Sequence, residues 1–269
     1  MKYINPRIQS TKRALLIKLG LQYPASIDPI LRSDDVFFVS YPKSGNTYLR
    51  FLVASALTKK IMNFYSIEHV VPDIYQVTKR QLERIPSPRI MKSHELFRPD
   101  YSNVYYVVRD PRAVAMSYAY WSQRSKTDAE VMRDINKTLK AWVLRFDGFW
   151  NWNLHVDGWY RHCGLSSHGQ RIEFGRYEDL IQNPHDFLDK VLAFMGVDYD
   201  RSSIDFAIEA CSKGKMKQGE LAAKPFFSSR QRAFVGTSKR PSFKDVASEE
   251  TLHIFREKLG AMMSEFGYD

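Results

Sequence analysis

At 269 residues, 44% of them hydrophobic, the chain has enough apolar surface for a sizeable core and suits one large domain better than two small ones. Its 40 Lys and Arg against 30 Asp and Glu give a net charge of +10, which points to an anionic partner: a polynucleotide, an acidic membrane surface or a phosphorylated cofactor. Two widely spaced cysteines, Cys163 and Cys211, exclude a disulfide framework and a cysteine metal cluster, and the N-terminal apolar run at 14–17, broken by Lys18, is too short for a membrane span.

Residues 1–33 read as an N-terminal extension of a single domain covering 1–269. With no export signal in view, a reducing, cytoplasmic setting is expected. The compact apolar run Val36–Val39 predicts a buried strand, followed by a turn over Tyr41–Asn46. A helix is predicted from Thr47, with Leu49, Leu52, Val53, Ala56 and Leu57 on one face. Val104–Val108 predicts a second buried strand, and Asp110-Pro111 opens the next helix with proline in its first turn. Ser122–Asp134 is polar and reads as a loop. Trp121, Trp142, Trp150, Trp152 and Trp159 cluster in the central stretch, mostly as core residues. Arg171–Tyr177 predicts a third strand, Asn183-Pro184 the start of a further helix, and Thr251–Phe266 a terminal one. Between Lys213 and Lys244 there are nine Lys or Arg against the single acid Glu220, so this stretch alone supplies +8 and reads as a basic, mobile loop that could cover an anionic ligand. Strands alternating with helices predict an α/β fold: three layers, with a mostly parallel central sheet flanked by helices. In such sheets ligands bind at the carboxyl ends of the strands.

Three groups of residues carry chemistry. Tyr41-Pro42-Lys43-Ser44-Gly45-Asn46-Thr47 joins a strand to a helix N-terminus, where unpaired N–H groups and the helix dipole favour an anion. Gly45 allows close backbone approach, Lys43 adds charge, and Ser44 and Thr47 add hydroxyl donors. It is not the NTPase loop, because no Gly-x-x-x-x-Gly-Lys-Ser/Thr occurs. Val107-Val108-Arg109-Asp110-Pro111 through Ser117 places an arginine at a strand end and a serine on the following helix. Ser87-Pro88-Arg89-Ile90-Met91-Lys92-Ser93-His94 places a lysine and a histidine two residues apart. Imidazole titrates near neutrality and suits general-base work.

In this order and spacing the three segments resemble the cytosolic-type sulfotransferases that use 3′-phosphoadenosine-5′-phosphosulfate (PAPS), and the likeness runs from about Val36 to Tyr268. The resemblance implies a P-loop-like sulfotransferase fold and transfer of a sulfuryl group from PAPS to a hydroxyl or amine of a small-molecule acceptor. The product would be 3′-phosphoadenosine-5′-phosphate (PAP). It implies His94 as general base and Lys43, Lys92 and Ser117 as catalytic partners, with no metal. Lys43, Ser44, Gly45, Asn46, Thr47 and Tyr48 would hold the phosphosulfate side, with Asn46-Thr47-Tyr48 standing where the family has Thr-Thr-Trp. Arg109 and Ser117 would hold the 3′-phosphate. Tyr177, in Arg176-Tyr177-Glu178-Asp179, and the Cys211-Ser212-Lys213-Gly214-Lys215-Met216 stretch would lie near the adenine, contributing Cys211, Ser212 and Met216. Phe234, Gly236, Thr237, Ser238, Lys239 and Arg240 fall where the family's Arg-Lys-Gly-x-x-Gly segment grips the 3′-phosphate. That Arg-Lys pair is missing here, and Arg232, Lys239 or Arg240 is expected to replace it. Glu95-Leu96 stands where the family has a proline after the histidine, and Lys244–His253 matches its dimer motif poorly. The other functions the residues allow are a P-loop nucleotide kinase, a nucleic-acid-binding module with Phe226, Phe227 and Phe234 among basic residues, and a catalytically dead member of the fold. Nucleic acid is not the expected partner.

Overall fold

The computed structural model describes residues 30–123, 125–144, 151–163, 169–222 and 240–268 (backbone only at 219–222). In chain order the elements are β1 (Val36–Val39), α1 (Asn46–Thr58), a 3-10 turn (Ser66–His69), α2 (Lys79–Glu83), β2 (Ile90–Ser93), β3 (Asn103–Val108), α3 (Pro111–Ser122), α4 (Asp128–Arg133), α5 (Ile135–Leu144) and α6 (Trp152–Tyr160). There follow β4 (Arg171–Arg176), α7 (Tyr177–Gln182), α8 (Pro184–Met195), α9 (Arg201–Ala210), α10 (Lys213–Ala222), α11 (Phe243–Val246) and α12 (Glu249–Glu265).

The four described strands form one parallel sheet in the order β2-β1-β3-β4. Alternation along the strands sorts their side chains to two faces. Phe37, Val39, Met91, Val104, Tyr106 and Val108 pack with α3, α5, α6 and α12. Val36, Phe38, Ile90, Tyr105 and Val107 pack with α1, α8 and α9. Both faces are covered, which is why β1 reads as an unbroken apolar run and why the fold has three layers. A buried ion pair locks the approach to β1 onto that of β2: Arg89 Nη2 lies 2.5 Å from Asp35 Oδ2, and both side chains are fully buried.

Two expectations are corrected. Ser122–Asp134 is not a continuous loop, because Thr127 and Glu130 form a reciprocal capping box that starts α4. The basic stretch 213–244 begins as the helix α10 and contains the start of α11 near its end, since Ser242 and Asp245 form a second capping box. Three of the tryptophans, Trp142, Trp152 and Trp159, lie in the core as expected. Trp150 lies outside the described residues.

Candidate active site

Because the strands are parallel and in register, the segments leaving their carboxyl ends all emerge at one edge of the sheet. The turn after β1 carries Lys43 and Gly45, β2 ends into His94, β3 into Arg109 and β4 into Tyr177. Lys43 and Gly45 both take positive φ, +73° and +92°. An added methyl at Gly45 would overlap the Tyr177 ring, so only glycine fits beneath that tyrosine. Gly45 caps α1, and the N–H groups of Asn46 and Thr47 after it have no intrahelical acceptor.

Arg109 supports this turn from the neighbouring strand. Its Nη1 donates to the Lys43 carbonyl at 2.9 Å, and its guanidinium sits 4.4 Å from the centre of the Tyr177 ring. The Arg109 Nε and the Ser44 hydroxyl are buried and have no hydrogen-bond partner among the described residues. Orphan buried donors beside an open helix N-terminus fit a phosphorylated ligand. Asn46 behaves differently. Its amide donates inward, to the Phe38 carbonyl at 2.7 Å and the Ser40 hydroxyl at 3.2 Å, which leaves its backbone N–H as the group able to meet an anion. Lys43 Nζ lies 5.8 Å from the Trp121 ring.

Beyond Arg109, a cavity of about 500 Å³ is lined by Arg112, Met116, Ser117, Tyr120, Arg240 and Lys244. Arg240 stacks over Tyr120 at 4.3 Å and thereby brings the end of the basic segment to the Arg109/Ser117 side. On the other side Tyr48, Tyr177 and Cys211 are neighbours. Burial, with Cys211 and Tyr177 adding to it, pushes the Tyr48 hydroxyl up to about 12, and burial raises the Cys211 thiol to about 11. Met216 packs against the same cluster, while Ser212 is exposed at the entry to α10. Phe234, Gly236, Thr237, Ser238, Lys239 and Arg232 lie outside the described residues.

His94 is half-buried, and its Nδ1 lies 2.6 Å from the Ser40 carbonyl. A carbonyl only accepts, so Nδ1 carries the proton and Nε2 keeps its lone pair. Burial first, then the charge of Lys92, holds the imidazole well below its ordinary value of 6.5, against the opposing pull of Ser40 and Asp73. The ring is therefore neutral at pH 7. Its backbone is fixed from two directions: the His94 N–H donates to the Tyr75 hydroxyl at 3.0 Å, and the His94 carbonyl lies 3.1 Å from His155 Nε2. His155 Nδ1 in turn lies 2.8 Å from the Tyr106 hydroxyl, which donates to it.

The sequence reading missed Ser40, Asp73, Tyr75 and His155. Lys92 is not a lone cation: its Nζ lies 2.7 Å from Asp73 Oδ2, with little of either side chain exposed. Nothing in the local pattern around Val71-Pro72-Asp73 marks it. Ser40 alone had a sequence signal, as the residue immediately before the Tyr41–Thr47 turn.

Residues 33–263 match the sulfotransferase domain family. The chain is 25% identical to the amine sulfotransferase of Oryctolagus cuniculus over 202 residues, 70% of this chain and 64% of that relative. It is 25% identical to sulfotransferase 1B1 of Canis lupus familiaris over 71% of this chain and 68% of that protein. The chain thus spans about two thirds of the length of these relatives. Its fold is similar to that of mouse sulfotransferase SULT7A1, solved in complex with PAP, with a TM-score of 0.64, 22% identity and coverage of 91% of this chain and 92% of the other. A retinol dehydratase solved with androsterone and inactive PAP also has a TM-score of 0.64, at 16% identity over 87% of this chain and 81% of that one.

Proposed function

As the chain belongs to the sulfotransferase domain family, we propose that it moves a sulfuryl group from PAPS to a hydroxyl or amine of a small-molecule acceptor. The observation that carries this is the Ser40–His94 hydrogen bond. It ties His94, just past β2, to Ser40, between β1 and the turn that carries Lys43 and Gly45, which supports a base held in fixed relation to the donor loop. PAPS would supply the electrophilic sulfur, with PAP as the leaving group.

The protein's part is positioning and electrostatics. His94 Nε2 takes the acceptor proton as the new oxygen–sulfur or nitrogen–sulfur bond forms. Lys43, the α1 N–H groups and Ser44 hold the 5′ side, where charge grows as the old sulfur–oxygen bond breaks. Lys92 adds positive charge beside the base. Arg109 and Ser117 take the 3′-phosphate, with Arg240 replacing the basic pair of the family's C-terminal segment; its place over the Tyr120 ring, in the cavity with Ser117, supports this. Tyr48, Tyr177, Cys211 and Met216 bracket the adenine. The basic segment 213–244 covers the donor. The two free thiols fit a reducing compartment, and no helix among the described residues is long and apolar enough to cross a membrane.

Calorimetric titration with PAP and with ATP separates this reading from a nucleotide kinase, since PAP binds tightly and ATP weakly if the 3′-phosphate is gripped. Turnover of radiolabelled PAPS with alcohols, phenols and amines identifies the acceptor class. His94→Ala abolishes transfer and leaves PAP affinity within about twofold; a protein that fails to bind PAP, or a variant that keeps turning over, defeats the proposal.

A further inference from the structure

We propose that Asp73 is a positioning residue that anchors the Lys92 ammonium beside His94 and balances its charge. This rests on the base role given to His94 above. The segment before the site is built for the task. Asp73 makes an isolated parallel bridge with Lys92 at the edge of β2: the Lys92 N–H donates to the Pro72 carbonyl at 2.9 Å and the Ile74 N–H donates to the Lys92 carbonyl at 3.2 Å. This pairing sets the Asp73 side chain opposite that of Lys92, and their charged ends meet at 2.7 Å.

The carboxylate is itself held. Glu68 Oε2 accepts the Asp73 N–H at 2.7 Å, Asp73 Oδ1 accepts the Tyr75 N–H at 3.1 Å, and Glu68 is paired with Arg50 at 2.7 Å. A chain of Arg50, Glu68, Asp73 and Lys92 therefore runs from α1 to β2. Burial alone would raise the Asp73 carboxyl, but Lys92 and Arg50 outweigh it and hold it at about 2, so the carboxylate stays ionised at neutral pH. An unanchored lysine has four rotatable bonds and would lose its place near the reacting groups.

The groups facing His94 are Lys92 on β2, Asp73 from the flanking segment, Tyr75 stacked 6.3 Å away, the Ser40 carbonyl just past β1, and His155 from α6. Glu95 beside it is held by the Tyr75 hydroxyl at 3.0 Å. Of these, Lys92 and Asp73 carry opposite charges that act on the imidazole in opposite directions.

The test is Asp73→Asn, read by NMR titration of the His94 ring protons and by the pH profile of kcat/KM. Loss of the carboxylate leaves the Lys92 charge unopposed, so the His94 titration and the acidic limb of the profile move down by about one pH unit. In kinetics, kcat falls about tenfold while PAP affinity changes less than twofold, Asp73→Glu recovers part of the loss, and Asp73→Asn adds nothing once Lys92→Met is present. An unchanged or raised His94 titration, or additive losses in the double variant, overturns the proposal. If Asp73→Asn fails to fold, Lys92→Met decides: the His94 titration moves up, and no movement sinks the idea. The NMR readout needs no turnover, so a protein inactive with every acceptor would defeat the proposed function and still leave the role of Asp73 measurable.

Discussion

Two imidazoles, half-buried His94 and buried His155, couple the site to acid stability. Burial lowers His155 to about 4, and burial with the Lys92 charge lowers His94 well below its ordinary value. Both folded-state values lie below that of the unfolded chain, so folding favours the neutral rings. Their contribution is complete above about pH 6.5 and is lost as pH falls toward the folded values. Thermal melts should therefore drop steadily from pH 6.5 to pH 4. His155→Gln should flatten that slope, because His155 alone accounts for roughly 3 kcal/mol of it. The acidic limb of the kcat/KM profile should lie below pH 6.5, with activity rising toward neutrality as His94 becomes available as a base. An acidic limb above pH 7 would contradict a depressed imidazole.

Elements meet at two points where one change should be costly. The turn between β1 and α1 needs positive φ at Gly45 and leaves no room for a side chain under Tyr177. Gly45→Ala should push the Tyr177 ring away and disturb the helix N-terminus with it. The expected result is a loss of at least tenfold in PAP affinity by calorimetry, larger than the loss in stability. The Asp35–Arg89 pair joins the approaches to β1 and β2 with both partners fully buried. Asp35→Ala leaves the guanidinium without its counter-charge and should destabilise by about 3–5 kcal/mol in urea unfolding, with little effect on donor affinity if the protein is still folded. The helix starts at Thr127 and Ser242 show the opposite case. Capping boxes there are local and strong, yet each sits inside a polar or basic stretch that reads as loop because it has no apolar stripe.

Across the whole molecule the parallel sheet brings four strand ends to one edge, and the end of the basic segment returns to that edge through Arg240. The proposed PAP site relies on Lys43, Arg109 and Arg240, so affinity for PAP should weaken as salt rises. Arg240→Ala should weaken PAP roughly five- to tenfold at low salt and less at high salt. Unaltered binding in that variant would assign the substitute role to Lys239 or Arg232. The sequence by itself determined three of the four described strands, the turn after β1 with the helix that follows it, and the contiguous Arg109–Ser117 and Lys92-Ser93-His94 runs, because each depends on neighbours within a dozen residues; it did not mark β2 as a strand. Only the tertiary structure decided that Ser40 fixes the His94 tautomer, that Asp73 meets Lys92, that His155 braces the His94 backbone and that Asn46 turns its amide inward. Those contacts join groups on different strands and helices, and their distances are set by sheet register and packing, which no local pattern of residue types encodes.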